Sequence, residues 1–199
     1  MIEKIKNIIQ SSIDVKNGVL RNETLLKATA TIVDVIVETL KKGHRIYFCG
    51  NGGSAADAQH LAAELSGRFY TDRHALRAEA LHCNTSYLTA VANDYSFNMI
   101  YARLIEGIAD SGDILVGLST SGNSENIIKA FEVAKSKNMI TIGFTGENGG
   151  KMKAISDHII TIPSTDTPRI QESHILIGHI ICQMVEEKYF GPLSPGEGT

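Results

Sequence analysis

The sequence predicts an α/β fold, a doubly wound, flavodoxin-like three-layer sandwich with a five-stranded parallel sheet. Two observations predict it. Short runs rich in Val, Ile and Leu alternate with segments of helical period, the pattern of strands buried on both faces by crossover helices. Most of those runs also end in turns rich in Gly, Ser or Thr that open the next helix.

Each element follows from local pattern. Ile2, Ile5, Ile8, Ile9, Ile13, Val15 and Val19 recur at helical spacing and predict a helix over 2–20. A second spans 23–42 and stops at Gly43. Because both precede anything strand-like, they read as an N-terminal helical hairpin whose apolar stripe suits an oligomer surface. Strands are expected at 45–49, 79–83 (the weakest), 114–119, 140–145 and 158–163. Helices are expected over 54–66, from 86, over 98–109, 124–137 and 151–155, and over 168–189 behind Pro168. A single domain over 1–190 is expected, with a disordered tail at 191–199.

Composition narrows the function. The formal net charge is −3 with no block of Lys or Arg, which argues against a nucleic-acid groove. No stretch approaches the roughly 20 apolar residues of a membrane span. The N-terminus mixes charges through its apolar positions, unlike a secretory signal. Cys49, Cys83 and Cys182 form no CxxC and are expected to be buried free thiols. A cytoplasmic protein with neither membrane nor nucleic-acid partner is the expectation.

In doubly wound sheets ligands sit at the carboxyl ends of the strands, near the point where strand order reverses. That directs attention to 50–54, 84–94, 119–124 and 145–150. Gly50-Asn51-Gly52-Gly53-Ser54 allows close backbone approach, with Ser54 expected to cap the next helix and Asp57 three residues on. It matches neither GxGxxG nor GxxxxGK[ST], so no nucleotide cofactor is expected. Ser119-Thr120-Ser121-Gly122-Asn123-Ser124 places four hydroxyls between a strand and a helix start. Free N–H groups there make an anion site, and hydroxyls add donors without net charge. This suits a sugar phosphate. Asn93-Asp94 reads equally as a turn or as a pair holding sugar hydroxyls.

His60 and Glu64 are four apart in a helix whose Leu61 and Leu65 mark the buried face. Such a pair binds a metal or simply forms a surface hydrogen bond. The last helix carries Arg169, Gln171, His174 and His179 in an otherwise apolar stretch. Gln171 and His179 lie about 12 Å apart along its axis.

Taken together, GNGGSAADAQHLAAELSGRF, VANDYSFN, LSTSGNS, TGENGGKM and TPRIQESHILIGH resemble the phosphoheptose isomerases of the SIS (sugar isomerase) family, over about 1–190. The resemblance implies a homotetramer with active sites at subunit interfaces and one Zn2+ per subunit. It also implies isomerisation of sedoheptulose 7-phosphate to D-glycero-D-manno-heptose 7-phosphate, towards heptose for lipopolysaccharide or capsule. By resemblance, substrate is held by Asn51, Gly52, Gly53, Asn93, Asp94, Ser119, Thr120, Ser121, Ser124 and Gln171. Zinc is held by His60, Glu64, Gln171 and His179, with Glu64 and His179 as catalytic base and acid. The proline in TPRIQE and the tail depart from the family pattern without touching these positions. Competing expectations are a non-catalytic sugar-phosphate sensor or replication-initiator-binding protein of the family, and an isomerase of pentose or hexosamine phosphates.

Overall fold

The structure, a computed structural model, describes residues 1–191; the expected disordered tail from 192 onward lies outside the described residues. Helices α1 (Ile2–Arg21) and α2 (Glu23–Lys41) turn at the single residue Asn22. Its side chain accepts from the Leu25 N–H at 3.1 Å and so caps α2. Then follow β1 (Ile46–Gly50), α3 (Gly53–Ser66), β2 (Ala78–Ala80), α4 (Thr85–Asp94) and α5 (Ile100–Ile108). The chain ends with β3 (Ile114–Leu118), α6 (Glu125–Ser136), β4 (Ile140–Thr145), α7 (Met152–Ile155), β5 (His158–Thr161) and α8 (Thr167–Phe190). A single 3-10 turn at Phe97–Met99 leads into α5.

All five strands are parallel, in the order β2-β1-β3-β4-β5. Side chains alternate between two cores. Ile46, Phe48, Ile114, Val116, Ile142 and Phe144 face α2, α3 and α8. Tyr47, Cys49 and Leu115 face α4, α5 and α6. Each fully buried Ile, Leu or Phe contributes about 1.5–3 kcal/mol, which makes these two layers the main source of stability. The helix changes face between β2 and β3, so the reversal of strand order falls between β1 and β3. Their carboxyl ends open onto residues 51–52 at the start of α3 and onto the loop 119–124.

The sequence patterns misplace three details. The second strand is shorter than 79–83, because a turn at Leu81 and His82 ends it. The helix expected from 86 is α4, but it runs from Thr85 to Asp94 and so takes up nearly all of the 84–94 segment that also reads as a candidate ligand loop. Cys83 is exposed, whereas Cys49 and Cys182 are buried as expected. α1 leans on α8, with Arg169 donating to the Ile8 carbonyl at 2.9 Å and Ser12 to Glu172 at 2.6 Å. Its Ile2, Ile5, Ile9 and Ile13 remain exposed. No helix among the described residues is long and apolar enough to cross a membrane.

Candidate functional site

The α3–α8 contact builds the first cluster. Gly178 has no side chain, and Leu61 of α3 fills the space: a Cβ at Gly178 would lie 2.5 Å from Leu61 Cδ2. The two helices therefore approach closely at this point, and the residues beside it, His60 and His179, meet. Their Nε2 atoms are 3.3 Å apart. His60 Nε2 is also 2.9 Å from Glu64 Oε1, the i,i+4 pairing expected from sequence. His60 is exposed, while Glu64 and His179 are half-buried. Burial, together with the neighbouring His60, lowers the His179 pKa against the opposing pull of Glu64, which favours the neutral ring.

Protons alone satisfy this cluster poorly. His60 Nε2 offers one proton or one lone pair, yet it faces both a carboxylate and a second imidazole nitrogen. A cation accepts lone pairs from all three. Two imidazole nitrogens and a carboxylate oxygen lying within 4.8 Å of one another are a suitable donor set. A tetrahedral ion with bonds of about 2.0–2.1 Å needs its nitrogens about 3.3 Å apart, and the His60–His179 separation meets that value. Gln171 lies two turns earlier on α8, where a Cβ at Gly53 would come 2.7 Å from its amide nitrogen.

The second cluster lies at the carboxyl ends of β1 and β3. Asn51 and Asn126 exchange two amide hydrogen bonds, at 2.9 and 2.8 Å. Asn126, which sequence patterning did not single out, is 2% exposed. It also accepts from the Ile127 N–H, so it fixes Asn51 relative to the start of α6. Ser124 is the N-cap residue of α6, but its side chain does not cap the helix. Its Oγ instead pairs with Ser119 Oγ at 2.9 Å, leaving the first turn of α6 open towards an anion. Ser54, expected as a cap, is buried inside α3; Gly52, at φ +56°, is the N-cap. Backbone geometry, not a hydroxyl, starts that helix.

Gly122 makes the 119–124 loop possible. It sits at φ +65°, and a Cβ there would lie 2.1 Å from the Gly149 carbonyl oxygen. The loop is locked to 146–150 by Gly146 N–H to Thr120 O and Met152 N–H to Gly122 O, both 3.0 Å. Ser121 is exposed and Thr120 half-buried. Both border a pocket of about 250 Å³ with Asn148, Ser164 and Ile170 among its walls. Asn93 and Asp94 sit on the last turn of α4, exposed and bonded to each other at 2.8 Å. No side-chain hydrogen bond links them to the other candidates among the described residues.

His174 is a core residue. Its Nε2 donates to the Thr145 carbonyl at 3.1 Å, and burial pushes its pKa down to about 4.

Comparison with known proteins places this architecture. The chain is 50% identical to the phosphoheptose isomerase of Aneurinibacillus thermoaerophilus over 96% of both chains. Its fold superposes on the phosphoheptose isomerase GmhA of Neisseria gonorrhoeae with a TM-score of 0.87. That match is 38% identical and covers 93% of this chain and 98% of the other. A phosphoheptose isomerase from Francisella tularensis superposes at 0.90, with 34% identity and coverage of 94% and 98%. The sequence model of the SIS domain matches residues 14–146. The chain therefore belongs to the SIS-domain family, among its phosphoheptose isomerases.

Proposed function

We propose that this isomerase converts sedoheptulose 7-phosphate to D-glycero-D-manno-heptose 7-phosphate, an aldose–ketose exchange through an enediol. The observation that carries the mechanism is the convergence of His60, Glu64 and His179 where α3 meets α8. The reaction moves a proton between C1 and C2 and needs a second group to serve their oxygens. Glu64 takes the carbon-bound proton: its Oε1 faces His60, and Oε2 has no hydrogen-bond partner among the described residues. Neutral His179 exchanges protons with the oxygens through the ring nitrogen that holds no metal ion.

The hydroxyls of Ser119, Thr120, Ser121 and Ser124 and the open turn of α6 hold the phosphate. Asn51, Gly52, Gly53, Asn93, Asp94 and Gln171 hold the sugar. His60, Glu64 and His179, with Gln171 as a further ligand, would hold one Zn2+ per subunit, which supplies Lewis-acid polarisation of the sugar oxygens.

The reading extends to a cytoplasmic homotetramer with sites between subunits, supplying heptose for lipopolysaccharide or capsule. The exposed isoleucine stripe of α1 supports the assembly. The sensor alternative has no comparable support, since both proton-transfer groups are present and the half-identical relative is named an isomerase.

The test is incubation of the purified protein with sedoheptulose 7-phosphate, with and without a chelator, following the aldose signal by NMR. Product lost on chelation and restored by zinc is the expected result. Product indifferent to chelation removes the metal from the mechanism. Binding without product overturns the isomerase.

A further inference from the structure

Between α3 and β2 the chain runs through residues 67–77 with no regular structure, yet it is heavily tied. Glu186 of α8 is 1% exposed. Its Oε1 accepts from the N–H groups of Tyr70 and Thr71 at 2.8 and 2.9 Å. Its Oε2 accepts from Arg73 Nε at 2.8 Å and from the Phe69 N–H at 3.3 Å. Arg73 is equally buried, with a side-chain exposure of 4%. Its Nη2 donates to the Glu64 carbonyl, and its Nη1 to those of Leu65 and Gly67, each at 2.8 Å. A guanidinium thus closes the C-terminal turn of α3, where carbonyls lack helical partners.

Both ends of this knot meet the candidate site. Arg73 fixes the backbone at Glu64. Glu186 fixes the segment that presents Phe69, whose ring lies against His179 with centroids 5.7 Å apart and planes tilted by 32°. Glu186 itself follows His179 by seven residues, two turns along the same face of α8. A buried ion pair is weak evidence of a stability role, since apolar replacements often match it. A network converging on these two residues calls for another role.

We propose that Arg73 and Glu186 are positioning residues, which hold the Phe69 ring on His179 and the end of α3 at Glu64 in the geometry proton transfer needs. This rests on the reading of Glu64 and His179 as the proton-transfer pair. Arg73 and Glu186 act through Phe69 and the end of α3 rather than on substrate. They do so by removing alternative rotamers of His179 and by stopping the last turn of α3 from fraying.

The test uses Phe69→Leu, Arg73→Lys and Glu186→Gln in the full chain. Thermal melting, kcat and KM are measured, with ring 15N–1H correlations of His179 in metal-free protein, identified by their loss in His179→Ala. Phe69→Leu keeps the ion pair and is expected to melt near wild type. Its kcat falls at least tenfold with KM within threefold, and the His179 ring signals shift or split. Arg73→Lys and Glu186→Gln lower kcat further at temperatures where both remain folded. Wild-type kcat and an unshifted ring in Phe69→Leu overturn the proposal, as does activity in the other two that only tracks the folded fraction. If those two do not fold, Phe69→Leu decides. If wild type makes no aldose, the isomerase reading fails separately, and the ring spectrum still decides whether Phe69 orders His179.

Discussion

At Glu64, one oxygen faces His60 and the other has no hydrogen-bond partner among the described residues, so replacing the carboxylate by an amide keeps the shape and removes the base. Glu64→Gln is expected to lower kcat by at least about a hundredfold, the scale of general-base catalysis, with the melting temperature unchanged. Activity within tenfold of wild type would take Glu64 out of the mechanism. Asn126 acts one step away from substrate. Asn126→Ala strips Asn51 of both amide bonds, and a buried polar group left unpaired costs about 1–3 kcal/mol. KM is expected to rise about tenfold, while kcat stays within a few-fold. A fall in kcat at constant KM would show that Asn51 does not hold the sugar.

Among the elements, α3 and α8 matter most, because their separation sets the distance between the two histidines. Gly178 is the contact that lets them close. Gly178→Ala forces the buried Leu61 aside at a cost of about 1–3 kcal/mol and moves His60 from His179. Kinetics should show kcat down at least tenfold in protein that still folds by circular dichroism; unchanged kcat would mean the site tolerates a wider gap. Much at this scale was legible in the sequence. Period alone gave the order of strands and helices along the chain, since the Val/Ile/Leu runs of the central strands β1, β3 and β4 are buried on both faces. The His60/Glu64 spacing gave one half of the cluster. The arrival of His179 at the same point was legible only through the family resemblance, not from period or spacing, because it depends on Leu61 filling the place of a glycine 117 positions away. Phe69, Arg73 and Glu186 were missed for the same reason: residues 67–77 have no period, and their bonds go to another helix. Asn126 looked like any first-turn residue of α6.

For the molecule as a whole, acid should act well before the carboxylates titrate. His174 is neutral and buried, with its Nδ1 unpartnered among the described residues and its pKa down at about 4. The unfolded chain takes up a proton there near pH 6.5, and the folded chain does not. Stability contributed by this group is therefore full above about 6.5 and is lost as pH falls towards 4, on the order of 3 kcal/mol. Chemical denaturation across that window should show protons bound on unfolding, with His174 the largest contributor beside His82 and His179, whose pKa values burial also lowers. His174→Gln, whose amide can still donate to Thr145, should flatten the dependence; an unchanged slope would assign it elsewhere.

The three cysteines, finally, make the chain its own clock. Cys49 and Cys182 lie inside the two cores on opposite faces of the sheet, and burial raises both thiol pKa values, that of Cys182 to about 12. Cys83 alone is exposed. An alkylating reagent should count one thiol per chain at once, slowed by the raised pKa of Cys83. The second and third should appear only as fast as each core opens. Mass spectra taken over time would then tell whether the two layers part together or one after the other.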